Sequence, residues 1–309
     1  MFVVLHRKIF YMVSGVLILG SILALVVWGL NLGIDFKGGS LLEIEYGGAR
    51  PEATDIQGRL SAMSNLGESI GDVSVRPTGE KGFIIRMRTI SEGERVSIIS
   101  ALETNLTAGE KIEVKRFNSI GPLIGKEAAR KAFMSVVLVL ICIVLFITFV
   151  FRQVSEPVSS WKYGIIAIVA LLHDVIVPVG AFAVLGHFQG AEVDTLFVTA
   201  LLVILGFSIH DTIVVFDRVR ENLKLSRLYK EKKSFEHIVG NSISQTFVRS
   251  INTSLTTILA LVVLYFVGSE STRYFSLALI IGIAVGTYSS IFIGSPLLVT
   301  VEKWQNRKR

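Results

Sequence analysis

The chain has 309 residues, 51% of them hydrophobic and 18% charged, with a mean hydropathy of +0.61; soluble domains carry nearer a quarter charged residues, so most of this chain belongs in lipid. Its net charge of +6 is explained first by loop orientation and by contact with membrane lipids, and nucleic acid is not an expected partner. The single cysteine, Cys142, lies in an apolar run and excludes an intramolecular disulfide or a cysteine-based metal site, so neither a metal nor a cofactor is expected.

A helix needs about 20 mainly apolar residues to cross the hydrocarbon core, and six runs qualify, at about 9–30, 132–151, 163–186, 195–216, 243–267 and 274–299. The first follows Arg7 and Lys8, exceeds the apolar stretch of a signal peptide and lacks a small-residue cleavage site, which makes it a retained anchor. Between the first two runs the pattern alternates instead. Strands are expected at 40–46, 72–76, 82–88 and 111–117, with helices at 52–66 and 92–106. The order β-α-β-β-α-β predicts a ferredoxin-like α+β domain over 31–131, an antiparallel sheet with both helices on one face. It carries no nucleophile–base pair, so binding or lever action is expected of it rather than catalysis.

Two glycine-containing segments flank this domain. Gly33-Ile-Asp35-Phe-Lys-Gly38-Gly39 follows the first run, and Gly121-Pro122-Leu-Ile-Gly125 precedes the second. Both suit a hinge, and both also suit ordinary turns at a membrane boundary.

Orientation follows from the short loops, because Lys and Arg near span ends stay cytoplasmic. One set of segments holds Arg7 and Lys8, then Arg152 and Lys162, then Arg218, Arg220, Lys224, Arg227, Lys230, Lys232 and Lys233, then Lys303 and Arg307 to Arg309; the alternate short loops hold only Arg273. Both termini and a loop at 218–241 are therefore expected in the cytoplasm, with a tail at 300–309, and residues 31–131 outside.

Ionisable residues inside spans are expensive and mark function by default. The fourth span contains His210 and Asp211, the fifth Arg249, and the third His173 and Asp174. Spans 4 and 5 run antiparallel, and Asp211 and Arg249 sit at matching depth, about 9–10 Å from their cytoplasmic ends. Ser242, Gln245, Thr246, Arg249, Asn252, Thr253, Thr256 and Thr257 form one polar stripe on span 5, read as a polar interior seam. The pair then acts either as an ion relay, with a carboxylate that loads and releases a proton as the cation moves, or as a fixed ion pair holding helices together. His210, His173 and Asp174 are further relay candidates, each equally readable as a helix-packing group.

Taken together, Gly33-Ile-Asp-Phe-Lys-Gly-Gly39, the Gly-Pro-x-x-Gly element at 121–125, Ala170-Leu-Leu-His-Asp174 and Asp211-Thr-Ile-Val-Val-Phe-Asp-Arg-Val-Arg-Glu-Asn222 resemble the SecF family from the first span through the sixth. The resemblance implies a half-transporter of the resistance-nodulation-division type in the bacterial cytoplasmic membrane, joined to a SecD partner beside the SecYEG translocon. There it helps a translocating polypeptide outward at the expense of the proton-motive force, and it is not an enzyme. It also implies that Asp211 and Arg249 are the ion-relay residues. Two departures stand out: His210 occupies a position often Asn in the family, and Leu123 one that is usually polar, so proton or sodium coupling stays open. A half-unit of a small-molecule or lipid exporter of the same superfamily, and a passive assembly factor, are the competing readings.

Overall fold

Six long apolar helices dominate the computed structural model, which describes residues 1–65, 70, 71, 73–103, 111–152, 158–230 and 233–306. Position 72 of the expected second strand, the ends of the two expected helices at 66 and 104–106, and Lys232 and Arg307 to Arg309 lie outside these residues. The chain divides into two compact units, Leu32–Phe133 and the remainder.

In the first unit, a short helix α3 (Ile34–Lys37) leads into β1 (Gly39–Tyr46), followed by α4 (Ala53–Asn65), β2 (Ser74–Thr78), β3 (Gly82–Met87), α5 (Glu92–Glu103) and β4 (Ile112–Ile120). The four strands form an antiparallel sheet in the order β2-β3-β1-β4. Period-two alternation puts Leu42, Ile44 and Tyr46 of β1 and Phe83, Ile85 and Met87 of β3 on one face. Ile56 and Leu60 of α4 and Ile98 and Leu102 of α5 complete the same core, so both helices cover that face. Pro77 is tolerated because β2 is an edge strand that pairs only with β3. Ser91 and Glu94 close a reciprocal cap at the start of α5: Glu94 accepts from the Ser91 amide at 2.7 Å, and Ser91 Oγ accepts from the Glu94 amide at 3.4 Å.

The second unit contains a short leading helix, α1 (Phe2–Leu5), and the spans α2 (Arg7–Trp28), α7 (Ser160–Gln189), α8 (Thr195–Leu228) and α9 (Phe235–Val267). The last span is α10 (Glu270–Ser289), a π-helical turn Ser290–Gly294, and α11 (Ser295–Asn306). Span 2 is α6 (Pro122–Val150), whose C-terminal part belongs to this unit. The segment 218–241, expected as a loop, is helical on both sides of a short connection, because α8 keeps burying Val219 and Leu223 beyond the apolar run while α9 already buries Phe235, Ile238 and Val239. The tail at 300–309 is likewise helical as far as Asn306.

One end of this bundle is tied by a single carboxylate. Glu236, in the first turn of α9, accepts from Arg7 of α2 at 2.9 Å and from Lys303 of α11 at 2.5 Å. The N-terminus, the α8–α9 connection and the C-terminal helix therefore share one end. At the other, the Val193 amide donates to the Asn31 carbonyl at 2.8 Å. Glu236→Ala removes the shared partner of Arg7 and Lys303 and is expected to cost about 1 kcal/mol, read as a lower thermal midpoint of the full chain in lipid.

Candidate functional site

Close approach between spans begins with small residues. Gly282 of α10 faces Ile204 and Gly286 faces Ser208, where an added Cβ would come within 3.0 Å of the Ser208 Cβ. This brings α10 against α8 along the stretch that carries the ionisable groups.

Asp211 is 3% exposed on α8. Ser250 on α9 and Thr287 on α10 lie near its carboxylate. Asp211 Oδ2 and Ser250 Oγ are nevertheless both buried without a hydrogen-bond partner. Ser254, one turn further along α9, pairs with Thr287. The Thr212 and Ser290 hydroxyls meet at 2.8 Å, and Ser290 donates to the Ser208 carbonyl at 3.3 Å. Ser295 returns its hydroxyl to the Ser290 carbonyl at 2.8 Å, closing the π-turn beside this cluster.

Arg249 lies on the neighbouring antiparallel helix, but no ion pair joins it to Asp211 among the described residues. The reason is rotational. Consecutive helix positions differ by about 100°, so with Ser250 turned inward Arg249 faces the outside of the chain. Depth contributes as well, since Asn222 of α8 donates to Ser242 and Gln245 of α9 at 2.9 Å each, so Ser242 lies level with Asn222 rather than with Asp217. Asp211 thus falls beside the Ser250–Ser254 turn.

The expected stripe on α9 splits in two. Its inner edge runs Ser242, Thr246, Ser250, Ser254 at steps of four, all buried. Gln245, Arg249, Asn252, Thr253 and Thr256 form an outer edge that is exposed on this chain, as is His210 of α8. Thr253 and Thr256 satisfy themselves on the carbonyls four residues back, both at 2.9 Å.

A second buried carboxylate, Asp174 on α7, accepts from Ser208 of α8 and, at 2.7 Å, from Ser289 of α10, with His173 Nδ1 at 2.9 Å. Ser208, Ser250, Ser254, Thr287 and Ser289 did not stand out in the sequence, because hydroxyl residues are common in membrane helices. Their inward register on three different helices is the signal, and it needs the packing to be seen. Among the described residues no cluster of His, Cys, Asp and Glu could hold a metal ion.

The flanking glycine segments meet within the first unit. Gly38 has φ +78° and its position abuts Pro122, while a Cβ on Gly125 would lie 2.8 Å from the Gly38 nitrogen and 3.0 Å from the Phe36 carbonyl oxygen. Gly33 precedes the short helix that carries the half-buried Asp35, Gly39 abuts the Met87 carbonyl, and Gly121 has open space where its side chain would be. These segments are therefore a backbone-to-backbone contact, tighter than independent turns would be.

Six candidate spans, of which α7 to α10 surround two buried acidic side chains, together with a four-stranded sheet domain define a multi-pass membrane protein organised around intramembrane ionisable groups. The chain belongs to the SecD/SecF family of protein export membrane proteins: residues 101–304 match the family model of the SecD/SecF C-terminal region, and residues 24–49 match that of the SecD/SecF GG motif. It is 42% identical to the protein translocase subunit SecF of Thermobaculum terrenum, with 99% of this chain and 94% of the relative covered. With the SecF of Anaerolinea thermophila it shares 38% identity over 97% of this chain and 94% of that relative. Among solved structures it resembles SecDF, a translocon-associated membrane protein from Thermus thermophilus, with a TM-score of 0.79 and 31% identity. That match covers 97% of this chain but only 38% of the SecDF chain.

Proposed function

We propose that the chain is an auxiliary subunit of the bacterial Sec translocase, which works with SecD beside SecYEG and uses the proton-motive force to promote export of a translocating polypeptide. The observation that carries this reading is Asp211, buried on α8 with its Oδ2 unpartnered, while Arg249 on the adjoining helix α9 is not paired with it. A carboxylate in that setting changes charge when a cation or a proton arrives, and the helices around it respond.

The outer edge of α9 supports a protein partner. Gln245, Arg249 and Asn252 facing hydrocarbon would be costly, whereas a second six-span half covers them. SecD is that half in this reading, and Arg249 then lies at the seam between the two. Cysteines placed along this edge should cross-link to SecD in membranes. Capture of the chain without SecD, or cross-links confined to other faces, would overturn the pairing.

The sheet domain, residues 31–131, is read as a ferredoxin-like lever on the outer side of the inner membrane, anchored through the Gly38–Gly125 contact. Both termini are then cytoplasmic. In intact spheroplasts a cysteine at position 57 should react with an impermeant reagent and one at position 229 should not; the reverse pattern inverts the topology.

A further inference from the structure

Asp174 is fully buried, and every group that donates to it is neutral or part of its own pair: Ser208 and Ser289 on Oδ2, and His173 beside Oδ1. Two features separate this cluster from ordinary helix contacts. His173 is 1% exposed, and its Nε2 is buried with no hydrogen-bond partner. Pro178, four residues further along α7, has no amide to return to the Asp174 carbonyl, so the helix ladder is interrupted at the residue that bears the carboxylate.

Among the described residues, the surrounding helices bring no fixed counter-charge to Asp174. His173 is the titratable side chain in contact with it, and Tyr288 of α10, its ring centre 6.2 Å from that of His173, is a further one close by. On α2 and α11, Arg7 and Lys303 are engaged with Glu236, Glu302 accepts from Asn306, and Lys8 is exposed. On α8, His210 faces outward and Asp211 belongs to the other site. A carboxylate and an imidazole that hold one proton between them carry no net charge, and shifting that proton along a 2.9 Å contact keeps them so. Without it they leave an uncompensated anion inside the bundle, and with a second proton they leave a cation.

We propose that His173 and Asp174 form a second proton-binding site, distinct from Asp211 and coupled to it through α8 and α10. Only the coupling rests on the reading of Asp211 given above; proton binding at His173–Asp174 stands apart from it. Ser208 lies three residues before Asp211 on α8, and Ser289 two residues after Thr287, which lies near Asp211 and pairs with Ser254. Positions two apart on an α-helix point about 200° away from each other, so α10 stands between the two carboxylates and offers each a hydroxyl. The π-turn begins at the next residue, Ser290, whose hydroxyl contacts Thr212 and the Ser208 carbonyl. Single π-turns inside α-helices occur frequently at functional sites. Proton occupancy of one carboxylate then alters the hydroxyls available to the other.

Infrared pH titration of the full chain in lipid vesicles tests this, following the C=O band of protonated carboxyls. Besides the band of the exposed carboxyls, which difference spectra against the variants remove, two pH-dependent components from the buried carboxyls are expected. Asp174→Asn should remove one. Asp211→Asn should remove the other and move the midpoint of the remaining component by about one pH unit or more, the scale of ordinary site–site coupling. Ser289→Ala and Ser208→Ala should shift the Asp174 component without deleting it, which keeps the test informative if Asp174→Asn fails to fold. An Asp174 component that stays constant between about pH 4 and 9 would make the residue a permanently neutral packing group and overturn the site. So would a component that follows sodium rather than pH. Equal midpoints with and without Asp211 would overturn the coupling alone, and an absent Asp211 component beside an intact Asp174 one would refute the Asp211 reading while leaving the second site in place.

Discussion

Asp211→Asn is expected to abolish the proton-driven part of protein export while leaving the chain folded and bound to its partner. Asparagine keeps the shape and polar character facing Ser250 and Thr287 but cannot exchange a charge. One charge crossing roughly 100 mV releases about 2.3 kcal/mol, enough to bias a two-state helix arrangement by about 50-fold. Asp211→Glu retains the titrating group and should retain part of the activity. Arg249→Met should resemble Asp211→Asn, since it removes the cation on the facing helix. In cells dependent on the variant, the measure is accumulation of unprocessed secretory precursors, at least tenfold above wild type for Asp211→Asn. A passive assembly factor would tolerate the change.

Gly125→Val is expected to have the largest effect on folding. There is no room for a side chain where the segment after Gly121 crosses that before Gly39, since the atoms a Cβ would meet belong to the Gly38 and Phe36 backbones. Overpacking against backbone that cannot rotate away costs about 1–3 kcal/mol or more, and valine adds two further methyls. The loss should appear as protease sensitivity of the sheet domain in the full chain. Gly15→Ala and Gly20→Ala on α2, where nothing lies within 4 Å of an added Cβ, are the controls and should be near neutral.

Much of the fold was legible in the sequence because lipid and sheet impose simple periods. Continuous apolar runs located all six spans, and alternation located β1 and β3, whose odd and even positions separate cleanly into core and surface. Helix ends were less legible. Beyond the apolar runs α8 and α9 continue on amphipathic packing, with Leu223 and Ile238 buried, and charge counting registered that stretch as a loop. The π-turn at Ser290–Gly294 carries no compositional signal, since its residues read as ordinary span.

The site was half legible. Asp211, Arg249, His173 and Asp174 stood out because charge is rare at that depth. Which of them meet depends on rotation about helix axes, and a one-residue difference decides it: Ser250 points inward and Arg249 outward. The polar stripe on α9 was correctly placed along the chain, yet only its Ser242–Thr246 edge is interior, continued by Ser250 and Ser254. The glycine segments were visible as a pair, and their mutual contact emerged only from the fold.

The most direct measurement of energy coupling through Asp211 uses inverted membrane vesicles carrying either wild-type chain or Asp211→Asn with its partner subunit. ATP-driven entry of a secretory precursor is allowed to finish, ATP is removed, and completion of export is followed with and without an uncoupler. Uncoupler-sensitive completion is expected in the wild type and none in Asp211→Asn, at equal amounts of assembled complex. Full uncoupler-sensitive completion in Asp211→Asn vesicles would contradict coupling through Asp211.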